Sequence, residues 1–161
     1  MDLTGLVVFG LLGTLLAVLF WRRRADKVPS HRAKRQIAVD GTNVLFWRDE
    51  VAQLATLQLV VRHLKQCGFD PVVFLDASSR HHIGDRSLNP QKFAHLLGVP
   101  QKRLMVCPKG TEADAFILEF AGKARVPVVS NDRFRDRPRA ARNVILIRGR
   151  FNGKRPVLKG L

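Results

Sequence analysis

Beyond residue 36, short and continuously apolar runs alternate with segments of helical period. Gln36-Ile-Ala-Val-Asp40 is the first run. Val51, Leu54, Leu57, Val61 and Leu64 then recur at spacings of three and four, which predicts a helix over Asp49–Cys67 with Gly68 as its stop. Pro71–Asp76, Arg103–Cys107, Val126–Ser130 and Val144–Ile147 read as four further strands. Between them, Asn89–Leu97 closed by Gly98 and Thr111–Ala124 with Thr111 as its cap read as helices. Strands that are apolar throughout, rather than alternating, are covered on both faces. The pattern predicts a three-layer α/β/α domain around a parallel central sheet. With 46% hydrophobic residues in 161, the chain supports one such core and not two.

The N-terminal region obeys a different rule. Leu3–Trp21 is a run of 19 residues without a charge. As a helix it would extend about 28 Å, close to the hydrocarbon thickness of about 30 Å. Trp21 stands at the expected interfacial depth and Arg22-Arg23-Arg24 follows at once. A cleaved signal peptide would carry its positive charge before the apolar run, where this chain has Met1-Asp2. We therefore expect a single-pass anchor over 3–21, a basic linker over 22–36, and a folded domain over 37–161 on the cytoplasmic side. The linker would keep the domain beside the bilayer, with its cations near anionic headgroups.

Charge and acid placement narrow the function. The net charge is +15; residues 22–35 carry +6 of it, and residues 36–161 carry +10. A folded domain this basic suits a polyanion such as nucleic acid. It holds only eleven acidic residues, and five of them (Asp40, Asp76, Asp114, Asp132 and Asp136) fall at one expected edge of the sheet, the carboxyl ends of the strands. That edge is where ligands bind in open α/β folds. Crowded carboxylates stay ionised only beside a cation, and hard oxygen donors select Mg²⁺ or Mn²⁺ rather than zinc. Such ions serve phosphodiester cleavage by activating water and stabilising the leaving oxygen. Aspartate is also a common turn and cap residue, and for Asp76 that reading stands equally.

Asp40-Gly41-Thr42-Asn43 after the first strand and Ser130-Asn131-Asp132-Arg133-Phe134-Arg135-Asp136 after the fourth carry a resemblance. With the acidic helix start Thr111-Glu112-Ala113-Asp114 between them, the chain from Ile37 to Ile147 resembles the NYN branch of the PIN-like nucleases. It is most similar there to the Regnase-type ribonuclease domain. The resemblance implies a metal-dependent endoribonuclease. By it, Asp40 would be the central metal ligand, Asn43 would orient substrate or water, and Asp114, Asp132 and Asp136 would complete the catalytic and metal site. Arg135 would face a phosphate. The chain departs from that pattern where Ala113-Asp114 replaces two adjacent acids, and its two cysteines are too few for the family's zinc finger.

Further basic residues are candidates for RNA contact. Arg133 and Arg135 lie in an arginine-rich segment that continues through Arg137, Arg139 and Arg142, and Lys109 and Arg48 lie in neighbouring loops. Phe46 or Trp47 would either stack on a base or pack on the following helix. His81-His82 reads as part of a polar loop, since no acid or cysteine lies at ligand spacing. Cys67 and Cys107 read as buried reduced thiols. Two other functions compete with cleavage. One is an RNA-binding module that does not cut. The other is a phosphatase, disfavoured because neither a D-x-D pair nor a glycine-rich phosphate loop is present.

Overall fold

A computed structural model describes residues 35–161. The expected membrane segment 3–21 and most of the linker lie outside the described residues. Among those described, no helix is long and apolar enough to cross a membrane.

Six strands form one sheet: β1 (Arg35–Asp40), β2 (Phe69–Leu75), β3 (Leu104–Val106), β4 (Val128–Val129), β5 (Leu146–Asn152) and β6 (Arg155–Lys159). Their order is β3-β2-β1-β4-β5-β6. The first five run parallel, with Ala38 opposite both Val72 and Val128. The chain builds outward from β1 in one direction, then returns to lay β4 and β5 on its other side. The switch point therefore lies between β1 and β4, and Asp40 closes the first of these strands. β1 begins inside the expected linker, at Arg35.

Helices cover both faces, as strands buried on both sides require. On one face α2 (Leu54–Gln66) and α4 (Pro90–Leu97) pack Leu57, Val61, Leu64 and Phe93 over Ile37, Val39 and Val73. On the other, α5 (Ala113–Ala124) packs Ile117, Leu118 and Ala121 over Ala38, Phe74 and Val128. Three short helices, α1 (Gly41–Leu45), α3 (Ser79–His82) and α6 (Pro138–Ala141), line the loops. The Asn89 side chain caps α4, and Gly98, at φ 63°, ends it where the sequence places its stop.

Four expectations are corrected. The helix expected from Asp49 starts only at Leu54: Asp49 and Glu50 adopt φ of 58° and 52°, and Val51 is 59% exposed. Thr111 does not cap α5. Its hydroxyl donates to the Pro108 carbonyl, and the carboxylate of Asp76 accepts from the Ala113 N–H instead. The sheet is not wholly parallel, because β5 runs on past Ile147 and turns into the antiparallel β6. Cys67 is exposed, whereas Cys107 is buried.

Gly41 occupies a position where no side chain fits. A Cβ there would stand 2.7 Å from both the Phe74 carbonyl oxygen and the Leu75 side chain. One of these is backbone and cannot turn away, so Gly41→Ala should destabilise the domain by about 1–3 kcal/mol. Urea unfolding followed by circular dichroism would measure this, and an unchanged midpoint would contradict the contact.

Candidate active site

The switch-point edge is built around Asp40, 3% exposed at the end of β1. Its Oδ1 accepts from the Asn43 N–H at 3.0 Å, which caps α1, and its Oδ2 accepts from the Ser130 hydroxyl at 2.8 Å. The same Ser130 oxygen accepts from the Asp132 N–H at 3.0 Å. One serine therefore ties the two acid-bearing loops together. Asp132 Oδ1 accepts from the Phe134 N–H, and Phe134 is fully buried at a left-handed φ of 49°. A bulky residue holds that conformation only when its surroundings impose it. Here the buried ring pins the loop, leaving Asp132, Arg133, Arg135 and Asp136 on its exposed side.

Asp114 lies in the first turn of α5, and Asp76 fixes that helix. The Asp76 N–H donates to Thr42 Oγ1 at 2.8 Å while its Oδ1 accepts from the Ala113 N–H at 2.8 Å. Asp76 thus links the D-G-T-N turn to the helix that carries Asp114. The five carboxylates act on one another across this edge. Burial pushes Asp114 up to about 7, and the Asp40, Asp132, Asp136 and Asp76 carboxylates all add to the shift. Burial likewise raises Asp40 to about 6, against the Asn43 and Ser130 hydrogen bonds and with the help of Asp76 and Asp132. Burial also pushes the Cys107 thiol up to about 11, with smaller contributions from Asp76 and Asp114.

Asn43 braces the edge. Its Oδ1 accepts from both the Trp47 indole at 2.8 Å and the Asn131 N–H at 2.9 Å, which leaves its Nδ2 without a partner among the described residues. Asn131 in turn holds both backbone groups of Gly149 on β5. The Trp47 ring lies against Gly149, where even a Cβ would overlap it. Trp47 is therefore committed to packing and to Asn43. Ser130 and Asn131 are supports to which the sequence gives no role of their own, although both lie within the quoted motif, whereas Asp76 takes the capping role that its sequence reading left open.

The basic candidates separate. Arg133 and Arg135 are exposed between Asp132 and Asp136. Lys109 lines a cavity of about 550 Å³ with Asp76, Arg80, His81 and Glu112, beside the acidic edge. Arg48 instead lies over the Phe151 ring at 5.6 Å. Glu112 accepts from Arg137 at 3.0 Å, and Arg137 also stands 3.6 Å from Asp136. His81 and His82 are exposed in α3.

The donor set at this edge is carboxylate oxygen, which suits Mg²⁺ or Mn²⁺. Among the described residues, no three His, Cys, Asp or Glu side chains stand close enough to enclose an ion by themselves. Mg²⁺ does not demand that, because it keeps several waters and is commonly held by one or two carboxylates. The residues therefore fit such an ion.

A mostly parallel sheet flanked by helices, with acids gathered at its switch point, defines a PIN-like α/β/α domain. Residues 33–148 match the Zc3h12a-like Ribonuclease NYN domain, and the chain belongs to that family. No curated protein matches it. Its fold is similar to two structures of the nuclear protein-only RNase P 2 (PRORP2) of Arabidopsis thaliana. TM-scores are 0.61 and 0.60, with 17% and 19% identity over 96% and 94% of this chain. The chain spans about a third of their length, 36% and 35%.

Proposed function

We propose that this chain is a divalent-metal-dependent endoribonuclease, held at a membrane through its N-terminal apolar segment. The observation that carries the reading is the gathering of Asp40, Asp76, Asp114, Asp132 and Asp136 at the switch-point edge, where the other four carboxylates add to the rise that burial imposes on Asp114, in a chain of an NYN ribonuclease family. When bound, Mg²⁺ or Mn²⁺ would activate the attacking water and neutralise charge on the cleaved phosphate. Asp40, Asp114, Asp132 and Asp136 would hold it between them, one or two directly and the others through the waters the ion keeps. Asp40 is the rigid member, fixed by two hydrogen bonds, and Asp114 would give up its proton when the ion enters. Asn43 would offer its Nδ2 to substrate or water. Arg133, Arg135 and Lys109 would hold phosphates on either side; Arg48, engaged with Phe151, would reach RNA only at the periphery.

Full-length protein incubated with single-stranded and hairpin RNAs tests this in three arms: Mn²⁺, EDTA, and Mn²⁺ with Asp132→Asn. We expect internal cleavage in the first arm alone. Binding without products in every arm would favour the second reading, a tethered RNA-binding module, for which the Ala113-Asp114 sequence in place of two acids speaks.

The location is proposed from the sequence alone: single-pass, with the domain cytoplasmic. Deleting residues 1–24 should release a soluble domain that no longer sediments with membranes at high salt, where the remaining basic residues are screened. Sedimentation that persists there would overturn the anchor.

A further inference from the structure

Sequence after Asp136 contains eight basic residues and no acidic one. Much of that charge lies on the β5–β6 ribbon, most of which extends past residue 148, where the family match ends. The ribbon is two-faced. Register pairs Arg148 with Lys159, Arg150 with Val157 and Asn152 with Arg155, so these six residues share one face. Gly149, Phe151, Pro156 and Leu158 share the other, and of these Phe151 and Leu158 pack on the core while Gly149 meets Trp47. Burial follows the alternation: Arg150, Arg155 and Lys159 are exposed, whereas Phe151, Pro156 and Leu158 are partly covered. Gly153, at φ 57°, takes the first position of the two-residue turn that holds the register.

Two features give this face a direction. Arg148 donates to the carbonyl of Asn131 at 3.3 Å, one residue before Asp132. By the two-residue period it also falls on the side of the sheet to which Leu146 contributes, the side covered by α5 and reached by Phe134 and Ala141 of the arginine-rich segment. The cations therefore begin at the acidic edge and lead away from it. On one face of a strand, side chains recur about every 6.7 Å, a step that an extended phosphodiester backbone can follow.

We infer that the outer face of the β5–β6 ribbon, through Arg150, Arg155 and Lys159, is a track for the phosphate backbone of single-stranded RNA entering or leaving the acidic edge. The inference deepens the ribonuclease reading and rests on it for its substrate. An anionic membrane surface offers the same charge, but the contact of Arg148 with the Asn131–Asp132 loop joins the ribbon to the site rather than to a lipid plane.

The test reads binding without cleavage, so that an inactive enzyme and an idle ribbon give different results. Full-length protein in neutral detergent micelles with EDTA is titrated against a fluorescein-labelled single-stranded RNA across a series of KCl concentrations. The comparison is with the triple variant Arg150→Gln/Arg155→Gln/Lys159→Gln. Each lost phosphate contact removes about 0.7 from the slope of log K against log salt. The triple variant should lose about 2 in slope and bind about 100-fold more weakly near 0.1 M salt. Unchanged slope and affinity would overturn the inference. So would unchanged RNA binding with lost sensitivity to micelles containing phosphatidylserine, which would assign the face to the membrane. If the triple variant does not fold, Arg150→Gln alone should lower the slope by about 0.7, and no change there would overturn the inference equally.

Discussion

Asp40→Asn should abolish RNA cleavage and, in the absence of metal, make the domain more stable. The two effects have opposite signs for one physical reason. Asp40 is buried, and its carboxyl is raised from 3.8 to about 6, so at pH 8 the fold holds a charge that burial disfavours. A rise of about two units corresponds to roughly 3 kcal/mol. Asparagine removes that charge and keeps an acceptor for the Asn43 N–H. It leaves the Ser130 hydroxyl without its acceptor, at a cost of about 1 kcal/mol. The net gain should be about 1–2 kcal/mol at pH 8, or several degrees in Tm. Activity should fall by at least about 10²–10³, as expected when charge stabilisation at a reacting centre is lost. A variant that is inactive and less stable would mark Asp40 as a structural residue. One that cleaves at the normal rate would remove it from the centre altogether.

Local chemistry decided which parts of this molecule could be read in advance. The strand runs and the Asn89–Gly98 helix were legible because their signals are local: continuous apolar stretches and a glycine stop. The false start at Asp49 came from Val51, which matches the helical period but follows two residues of positive φ and lies exposed. β6 went unread because Arg155-Pro-Val-Leu-Lys159 is half-polar and has an antiparallel partner only once β5 has overrun its apolar core. At the site, the four aspartates stood out because each follows or opens an element whose end was already marked. Their supports did not. That Ser130 bridges Asp40 and Asp132, that Asp76 caps α5 and that Asn131 holds Gly149 depend on contacts that span 18 to 90 residues, and no sequence period reports them. Phe134 was visible only as a letter between two acids, while its burial is what holds them on the surface.

Without metal, the domain should lose stability as pH rises from about 5 to 8, the reverse of the behaviour of salt-bridged carboxylates. Asp40 and Asp114 ionise at about 6 and about 7 in the fold, against 3.8 when unfolded. Between these limits the folded state binds more protons than the unfolded one, so unfolding becomes easier with each increment of pH. The stability linked to these groups is fully present below pH 3.8 and is lost as pH passes through about 6 and then about 7. Asp40, almost wholly buried, contributes roughly 3 kcal/mol to the whole loss, about half of it above pH 5. Asp114 adds less, because it is partly exposed and solvent screens it. Mg²⁺ should reverse the loss at pH 8, by about 2.7 kcal/mol when present at about 100 times its Kd. It should do little at pH 5, where protons occupy the carboxyls it needs. Thermal unfolding at fixed ionic strength, with and without Mg²⁺ and with Asp40→Asn as the reference, reads these effects. The wild-type Tm should fall relative to the variant from pH 5 to 8, and only the wild type should recover with Mg²⁺. Parallel curves for the two proteins, with neither responding to the ion, would mean that these carboxylates are not poised for a cation.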